Sequence, residues 1–466
     1  MTMYNVKDYG ALGDGKTRDT TAVQAAIDDC SRAGGGRVVL EGGRFVCGTL
    51  YLRSGVELHV SASAVLFASG SIADYPDDTH YNRYVNETDM DRCFIYAEDA
   101  ENIGITGRGI INGNAESFPN VGSKYRPMMI RLLRCRHVFL ENLRLYDSPA
   151  WTAAILDSEY IQVRGLDICN SRHYNGDALD FDGCRHVFVS DCRMKGTDDN
   201  FCLQASSKEY PVENIHISGC FFTSICAGIR IGLKSVGDIR DVVINNCTFR
   251  NVWREGVKIE CTEGGSITDI VLSNMVMRNV SRPVFILLNN RLEKTGSSLG
   301  LTEPPPIGRL ERIQVCGLIA TDEAEMENPH LRFGKDVMGN PRFAGIRIDA
   351  ATDHPIRQIV LRDIFYTFIG GVSLTDIPAE YPAVMDIRVP HECRVSENYW
   401  PDWSRVAFAD IRNVKELVLD NIQFRSLKPD SRPPFIVEGC TGWFLDGIRV
   451  LNWSINEDNE EGVYDH

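Results

Sequence analysis

The most polar-rich coil turns of this chain are H-Y-N-G-D-A-L-D-F-D-G at 173–183 and G-T-D-D-N-F-C-L-Q at 196–204. Each reads as a turn running into a strand, with Leu179 and Phe181 facing inward in the first and Phe201 and Leu203 in the second. The step from 179 to 201 is 22 residues and so is the step from 177 to 199, so one register sets Asp177 on Asp199. Neighbours in a regular strand face opposite ways, so Asp198 joins them only if it and Asp199 lie in a turn or bulge, which Gly196 permits. Three carboxyls would then gather within one coil height, about 4.8 Å. Like charges that close raise at least one pKa, as a general acid near neutral pH requires. Two carboxyl groups flanking a sugar can hydrolyse it, one protonating the leaving oxygen and the other activating water. A gap of about 6.5–9.5 Å leaves room for that water and inverts the anomeric centre. Turn residues and calcium ligands are the competing readings, since Asp serves as both.

The elements that must position these acids are set by a repeat, apolar-x-apolar-x-turn-apolar. It occurs as VFLENL (138–143), IQVRGL (161–166), VFVSDC (187–192), IHISGC (215–220), VVINNC (242–247), IVLSNM (270–275), IQVCGL (313–318), IVLRDI (359–364), LVLDNI (417–422) and WFLDGI (443–448). The fifth position is Asn142, Gly165, Asp191, Gly219, Asn246, Asn274, Gly317, Asp363, Asn421 and Gly447, always a residue that tolerates the left-handed conformation. Each copy therefore predicts one sharp bend between two short strands. Early copies start 23 to 28 residues apart (138, 161, 187, 215, 242, 270), the length of one coil of a parallel β-helix. The expected fold is all-β, a right-handed parallel β-helix forming a single domain over 1–455. Position six of the repeat, including Cys192, Cys220 and Cys247, forms an inward stack, so these thiols read as core residues.

A solenoid needs capped ends. Asp19 or Thr20 as N-cap, Val23, Ala26 and Ile27 on one face, and Gly34-Gly35-Gly36 as a stop predict a capping helix within 18–35. RVVL (37–40), TLYL (49–52) and VELHV (56–60) then begin the sheet, and 456–466 reads as a solvated acidic tail. Longer stretches at about 74–92, 289–309 and 376–404 interrupt the coils, as loops that wall a groove would.

The net charge of −15, from 49 Lys and Arg against 64 Asp and Glu, argues against nucleic acid or an anionic membrane as partner. The 15 cysteines are an odd number without C-x-x-C pairs, so neither a zinc site nor a full disulfide framework is indicated, and no cofactor is expected. The opening MTMYNVKDYGALGDG has no basic, apolar leader pattern, and a cytoplasmic location is the expectation.

N-G-D-A-L-D at 175–180 and G-T-D-D at 196–199, with the opening YGALGDGKTRDTTAVQAAID, resemble glycoside hydrolase family 28, the polygalacturonases and rhamnogalacturonan hydrolases, over nearly the whole chain. The resemblance implies Asp198 as general acid and Asp177 with Asp199 as the pair that activates water. Two motifs depart from it. The family's Ser/Gly-His-Gly falls on Cys226-Ala227-Gly228, removing a histidine, and its Arg-Ile-Lys falls on Lys258-Ile259-Glu260, turning a cation into an acid.

Period-2 alternation puts Arg230 and Lys258 on the outward face in one column with Asp180, Cys202 and Phe285. Arg230 and Lys258 are expected to hold an acidic sugar or hydroxyls beside the aspartates, while Glu260 would repel a carboxylate or bind hydroxyls. The opposing reading is that Arg230 simply pairs with Glu260. Asp180, Asn200 and Gln204 are further substrate-binding candidates, and Trp151, Trp253, Trp400 and Trp403 candidate stacking platforms, although tryptophan is more often packed. His173, just before the motif, is assigned no role, a lone histidine being usually structural. The expected activity is hydrolysis of an α-linked, uronate- or rhamnose-containing oligosaccharide, inverting and exo-acting. A lyase, epimerase or glycosyltransferase on similar sugars and a non-catalytic carbohydrate-binding β-helix are the alternatives.

Overall fold

The bend position of the repeat decides how the chain folds back on itself. In a computed structural model, all ten Gly, Asn and Asp residues named above adopt the left-handed conformation, with φ between 50° and 67°. The residue that follows turns inward each time. Leu143, Leu166, Cys192, Cys220, Cys247, Met275, Leu318, Ile364 and Ile422 are at most 2% exposed, and Ile448, in the last copy, is partly exposed. Polar bends also bond to one another between coils. Asn274 Nδ2 donates to Asn246 Oδ1 at 3.3 Å and Asn421 Nδ2 to Asp363 Oδ1 at 2.6 Å.

The structure describes residues 2–79, 91–121, 123–290, 305–323, 345–351, 353–376, 406–442 and 444–451. Most of the three long insertions and all of the acidic tail lie outside these residues. The chain divides into two compact units, Met1–Phe221 and Phe222–His466.

In the first unit one parallel ladder runs through Val38, Leu58, Ile105, Leu140, Val163, Val189 and Ile217, each paired with the next. All of these side chains are buried, so a single column of aliphatic residues lines the interior. The ladder in the second unit runs through Ile244, Leu272, Val315, Leu361, Leu419 and Leu445. Strands in both are parallel with one register throughout, as stacked coils require.

The capping helix spans Thr20–Arg32 and buries Val23, Ala26, Ile27 and Cys30. Asp19 occupies the N-cap position, yet its side chain makes no cap bond there. It accepts instead from the N–H groups of Leu12 and Gly13 at 2.7 and 3.1 Å, tying the preceding loop to the helix start. The expected strands appear as Gly36–Leu40, Leu50–Tyr51 and Val56–Val60.

A second left-handed series has no counterpart in the sequence pattern. His137, Tyr160, His186 and Asn214 in the first unit, and Asp241, Asp269, Arg312, Gln358 and Glu416 in the second, all have φ between 55° and 61°. Each lies just before a copy of the repeat, where the strand pairing skips one residue. Tyr160 stacks between His137 and His186, at 5.0 and 4.7 Å between ring centroids.

Candidate active site

The acidic motifs occupy the bends that precede two paired strands. Leu179–Asp182 and Phe201–Ala205 lie side by side with Leu179 opposite Phe201, Asp180 opposite Cys202 and Asp182 opposite Gln204. The pairing extends backward: Ala178 donates its N–H to the Asp199 carbonyl at 3.2 Å and Leu179 donates to that of Asn200 at 3.0 Å. Asp177 is therefore level with Asp199, and both, with Asp198, lie in bends outside the regular strands.

Two glycines let these bends nest. A Cβ on Gly176 would collide with Thr197 Oγ1 and the Asn170 carbonyl, and one on Gly196 would collide with the Gly176 carbonyl and Asn200 Nδ2. Gly196 is thus needed for close approach rather than for a left-handed φ. The Thr197 hydroxyl staples the two bends, accepting from the Gly176 N–H at 3.1 Å and donating to the His173 carbonyl.

Asp177 and Asp199 each bring a carboxylate oxygen within 4.8 Å of the other and of Cys202 Sγ, and an oxygen of Asp198 is equally close to one of Asp199, shorter than the gap of about 6.5–9.5 Å expected between an inverting acid and base. The thiol of Cys202 is 3.9 Å from Asp199 Oδ2. Asp177, Asp199 and Cys202 are close enough to share a cation, although a thiol in the set suits calcium poorly, since that ion takes oxygen ligands. The three acids differ in access. Asp198 is half-buried, Asp177 is 5% exposed and Asp199 has no exposed surface. Asp198 Oδ1 accepts from the Asp199 N–H at 3.0 Å, while Asn175 Nδ2 lies 3.5 Å from Asp198 Oδ2.

Asp180, Asn200 and Gln204 are all buried, Asn200 completely. The neighbouring Asp182 is a structural acid, accepting from both the backbone N–H and the hydroxyl of Ser206, at 2.9 and 2.6 Å. His173 is buried and its Nε2 lies 2.9 Å from the Phe118 carbonyl. A carbonyl only accepts, so Nε2 carries the proton and the ring is anchored, as its structural reading expects.

In the second unit Arg230 is opposite Lys258, and Lys258 opposite Phe285, as the alternation predicts. Glu260 sits between the two cations, with Oε2 at 3.8 Å from Arg230 Nε and 3.4 Å from Lys258 Nζ. Lys258 is fully buried, and its ammonium also lies 3.9 Å from Glu255. Burial pulls its pKa down while Glu260 and Glu255 oppose that shift. The Arg230 side chain keeps 16% exposure, so it is the accessible cation of the pair. Ala227, where the family motif has histidine, is buried and has no group that exchanges a proton.

Of the aromatic candidates, Trp151 is buried in a cluster with Cys93, Met128, Leu133, Ala150, Ala154 and Leu156, and Trp253 is 5% exposed. Both are packed rather than sugar-facing. Trp400 and Trp403 lie outside the described residues. Sequence reasoning assigned no role to Thr197, Asn175 or Arg126, which hold the bends. Asn175 lies inside the quoted motif, whereas Arg126 belongs to no repeat.

Bends of this kind on stacked parallel coils define a right-handed parallel β-helix, the fold of the hyperthermoactive exopolygalacturonase of Thermotoga maritima. That structure superposes with a TM-score of 0.64 at 22% identity, covering 79% of this chain and 87% of its own. Residues 52–298, more than half the chain, match glycosyl hydrolases family 28, and the chain belongs to that family. This is a narrower span than the near-complete likeness expected. Residues 3–59 match the group described as rhamnogalacturonase A/epimerase, pectate lyase-like. A probable polygalacturonase of Vitis vinifera is 28% identical over 256 residues, covering 50% of this chain and 52% of that protein. The exo-poly-alpha-D-galacturonosidase of Dickeya chrysanthemi is 24% identical over 298 residues, covering 52% and 49%. The chain spans about half the length of these curated relatives.

Proposed function

We propose that the chain hydrolyses α-linked glycosidic bonds in pectin-derived, uronate- or rhamnose-containing oligosaccharides, acting from the chain end with inversion. The observation that carries this reading is the meeting of Asp177, Asp198 and Asp199 at the mouths of two nested bends. Family membership supports the reaction class, and the exo-acting Dickeya and Thermotoga proteins support action from the chain end.

Roles are taken from the family resemblance and accord with access. Asp198, the half-exposed acid, protonates the glycosidic oxygen as its bond to the anomeric carbon breaks. A water molecule hydrogen-bonded at about 2.8 Å to each of two oxygens spans a gap of 4.8 Å or less at a bent angle. Asp177 and Asp199 are therefore suited to share one water and to take its proton as its oxygen attacks the opposite face of the sugar. Asp199 has no exposed surface, so its share in that water requires a small opening of the bend beside it, and it does not reach the sugar itself. The proton lost by Asp198 and the one gained by the pair return through solvent, so the cycle closes without another reactant.

Arg230 is proposed as a substrate contact of the second unit, its planar fork suited to a carboxylate. Lys258, sealed from solvent, orients Glu260 and balances its charge. Asp180, Asn200 and Gln204 are assigned to shaping the wall behind the acids. Incubating the protein with a panel of pectic oligosaccharides, and reading by proton NMR the anomer first released, tests the whole reading. Release of the inverted anomer from the chain end is expected. An unsaturated product would identify a lyase, and binding without turnover would identify a carbohydrate-binding protein.

A further inference from the structure

The bend that carries Asp177 is held from outside by a segment that belongs to no repeat. Asn120 Oδ1 accepts from the Tyr174 N–H at 3.0 Å, and the Phe118 carbonyl faces His173. Arg126 does most of the holding. Its Nη1 donates to the Tyr174 carbonyl at 2.7 Å and to the Pro149 carbonyl at 3.1 Å, and its Nη2 donates to Asn175 Oδ1 at 3.1 Å. The guanidinium carbon also lies 4.0 Å from the centre of the Tyr174 ring, within cation–π range.

Arg126 is 2% exposed, yet these hydrogen bonds go to two carbonyls and one amide, not to a carboxylate. Burying a cation is costly unless its donors are bonded and its charge is balanced nearby. Burial lowers its pKa, and the charge of Asp177 is among the influences that oppose the shift. The guanidinium is therefore within electrostatic reach of Asp177.

The amide of Asn175 is where this matters. A side-chain amide has one accepting and one donating end, and Arg126 can bond only the accepting end. With Oδ1 fixed there, Nδ2 must point the other way, and it lies 3.5 Å from Asp198 Oδ2. Asn175 itself adopts φ 52°, a left-handed conformation that asparagine tolerates. We propose that Arg126 is a positioning residue of the active site, fixing the Asn175 amide so that its N–H2 group orients the carboxyl of Asp198. This rests on the hydrolytic reading above.

Arg126→Met keeps most of the apolar stem of the side chain and removes the guanidinium donors. Steady-state kinetics on the best oligosaccharide of the panel, normalised to folded protein by circular dichroism, should show kcat reduced about 10²-fold with KM nearly unchanged. Arg126→Lys should recover part of that loss. The double variant Arg126→Met/Asn175→Ala should lose no more kcat than the worse single variant, because both act through one amide. An unchanged kcat in folded Arg126→Met, or losses that multiply in the double variant, would overturn the inference. Asp198→Asn in the same assay separates the two levels. If Asp198→Asn hydrolyses as fast as the parent, or the parent hydrolyses nothing, the hydrolytic reading itself fails. If Asp198→Asn is inactive while Arg126→Met is unaffected, only the positioning role is lost.

Discussion

Asp198 is the most exposed of the three acids, and in the proposed mechanism its protonation state decides whether a leaving oxygen can be served. Replacing it with asparagine keeps the shape and removes the transferable proton. Turnover by Asp198→Asn should fall about 10²–10⁴-fold, while substrate affinity by isothermal titration stays within a few-fold of the parent. A loss of affinity equal to the loss of turnover would make Asp198 a binding group instead. Arg230 belongs to the opposite class. It keeps some exposure and faces Glu260, so Arg230→Ala should raise KM for a uronate-containing substrate about tenfold and leave kcat nearly constant. If KM and substrate preference were both unmoved, Arg230 would be no more than the partner of Glu260.

At the scale of the element, the left-handed bends are the joints of the coil, and their chemistry can be tested at Asn421. Its φ is 50° and its amide donates to Asp363 Oδ1 on the neighbouring coil. Asn421→Ala should lose both the tolerance for that conformation and the bond, about 2–3 kcal/mol in urea denaturation. Asn421→Gly should lose only the bond, about 1 kcal/mol; equal losses would mean that backbone strain is not what asparagine relieves there. These joints were legible in the sequence because only Gly, Asn and Asp fill them. The second series was not. His137, Tyr160, His186, Arg312 and Gln358 have no common preference for positive φ, and the strand pairing on either side imposes it. The active site divides the same way. Register alone predicted that Asp177 and Asp199 meet, because a two-residue alternation carries from one coil to the next. The burial of Asp199 and Lys258 was beyond that logic, since it depends on what lies over the strand, and Arg126 was invisible because its segment follows no period.

For the whole molecule, stacked coils have a consequence for stability: each contacts only its neighbours, so a local defect lowers the stability of the unit that contains it. Asp322, in the second unit, is such a place. Burial raises its pKa to about 7, against which the hydroxyl of Tyr366, 3.1 Å from Asp322 Oδ2, works in the lowering direction. In the unfolded chain this carboxyl ionises near its ordinary value, so the folded state holds the extra proton between there and pH 7. Its contribution to stability is fully present below about pH 4, falls as pH rises through that window, and is gone above about pH 7. Asp322→Asn keeps the shape and an acceptor for Tyr366 but cannot ionise. Melting the parent and the variant from pH 4 to pH 8 should therefore give curves that nearly coincide at the acid end and separate steadily toward neutrality. The variant should become the more stable by on the order of a few kcal/mol at pH 8. A constant difference across the range would show that Asp322 keeps one charge state in the fold, and the ionisation of this buried carboxyl would then have no part in how the protein responds to pH.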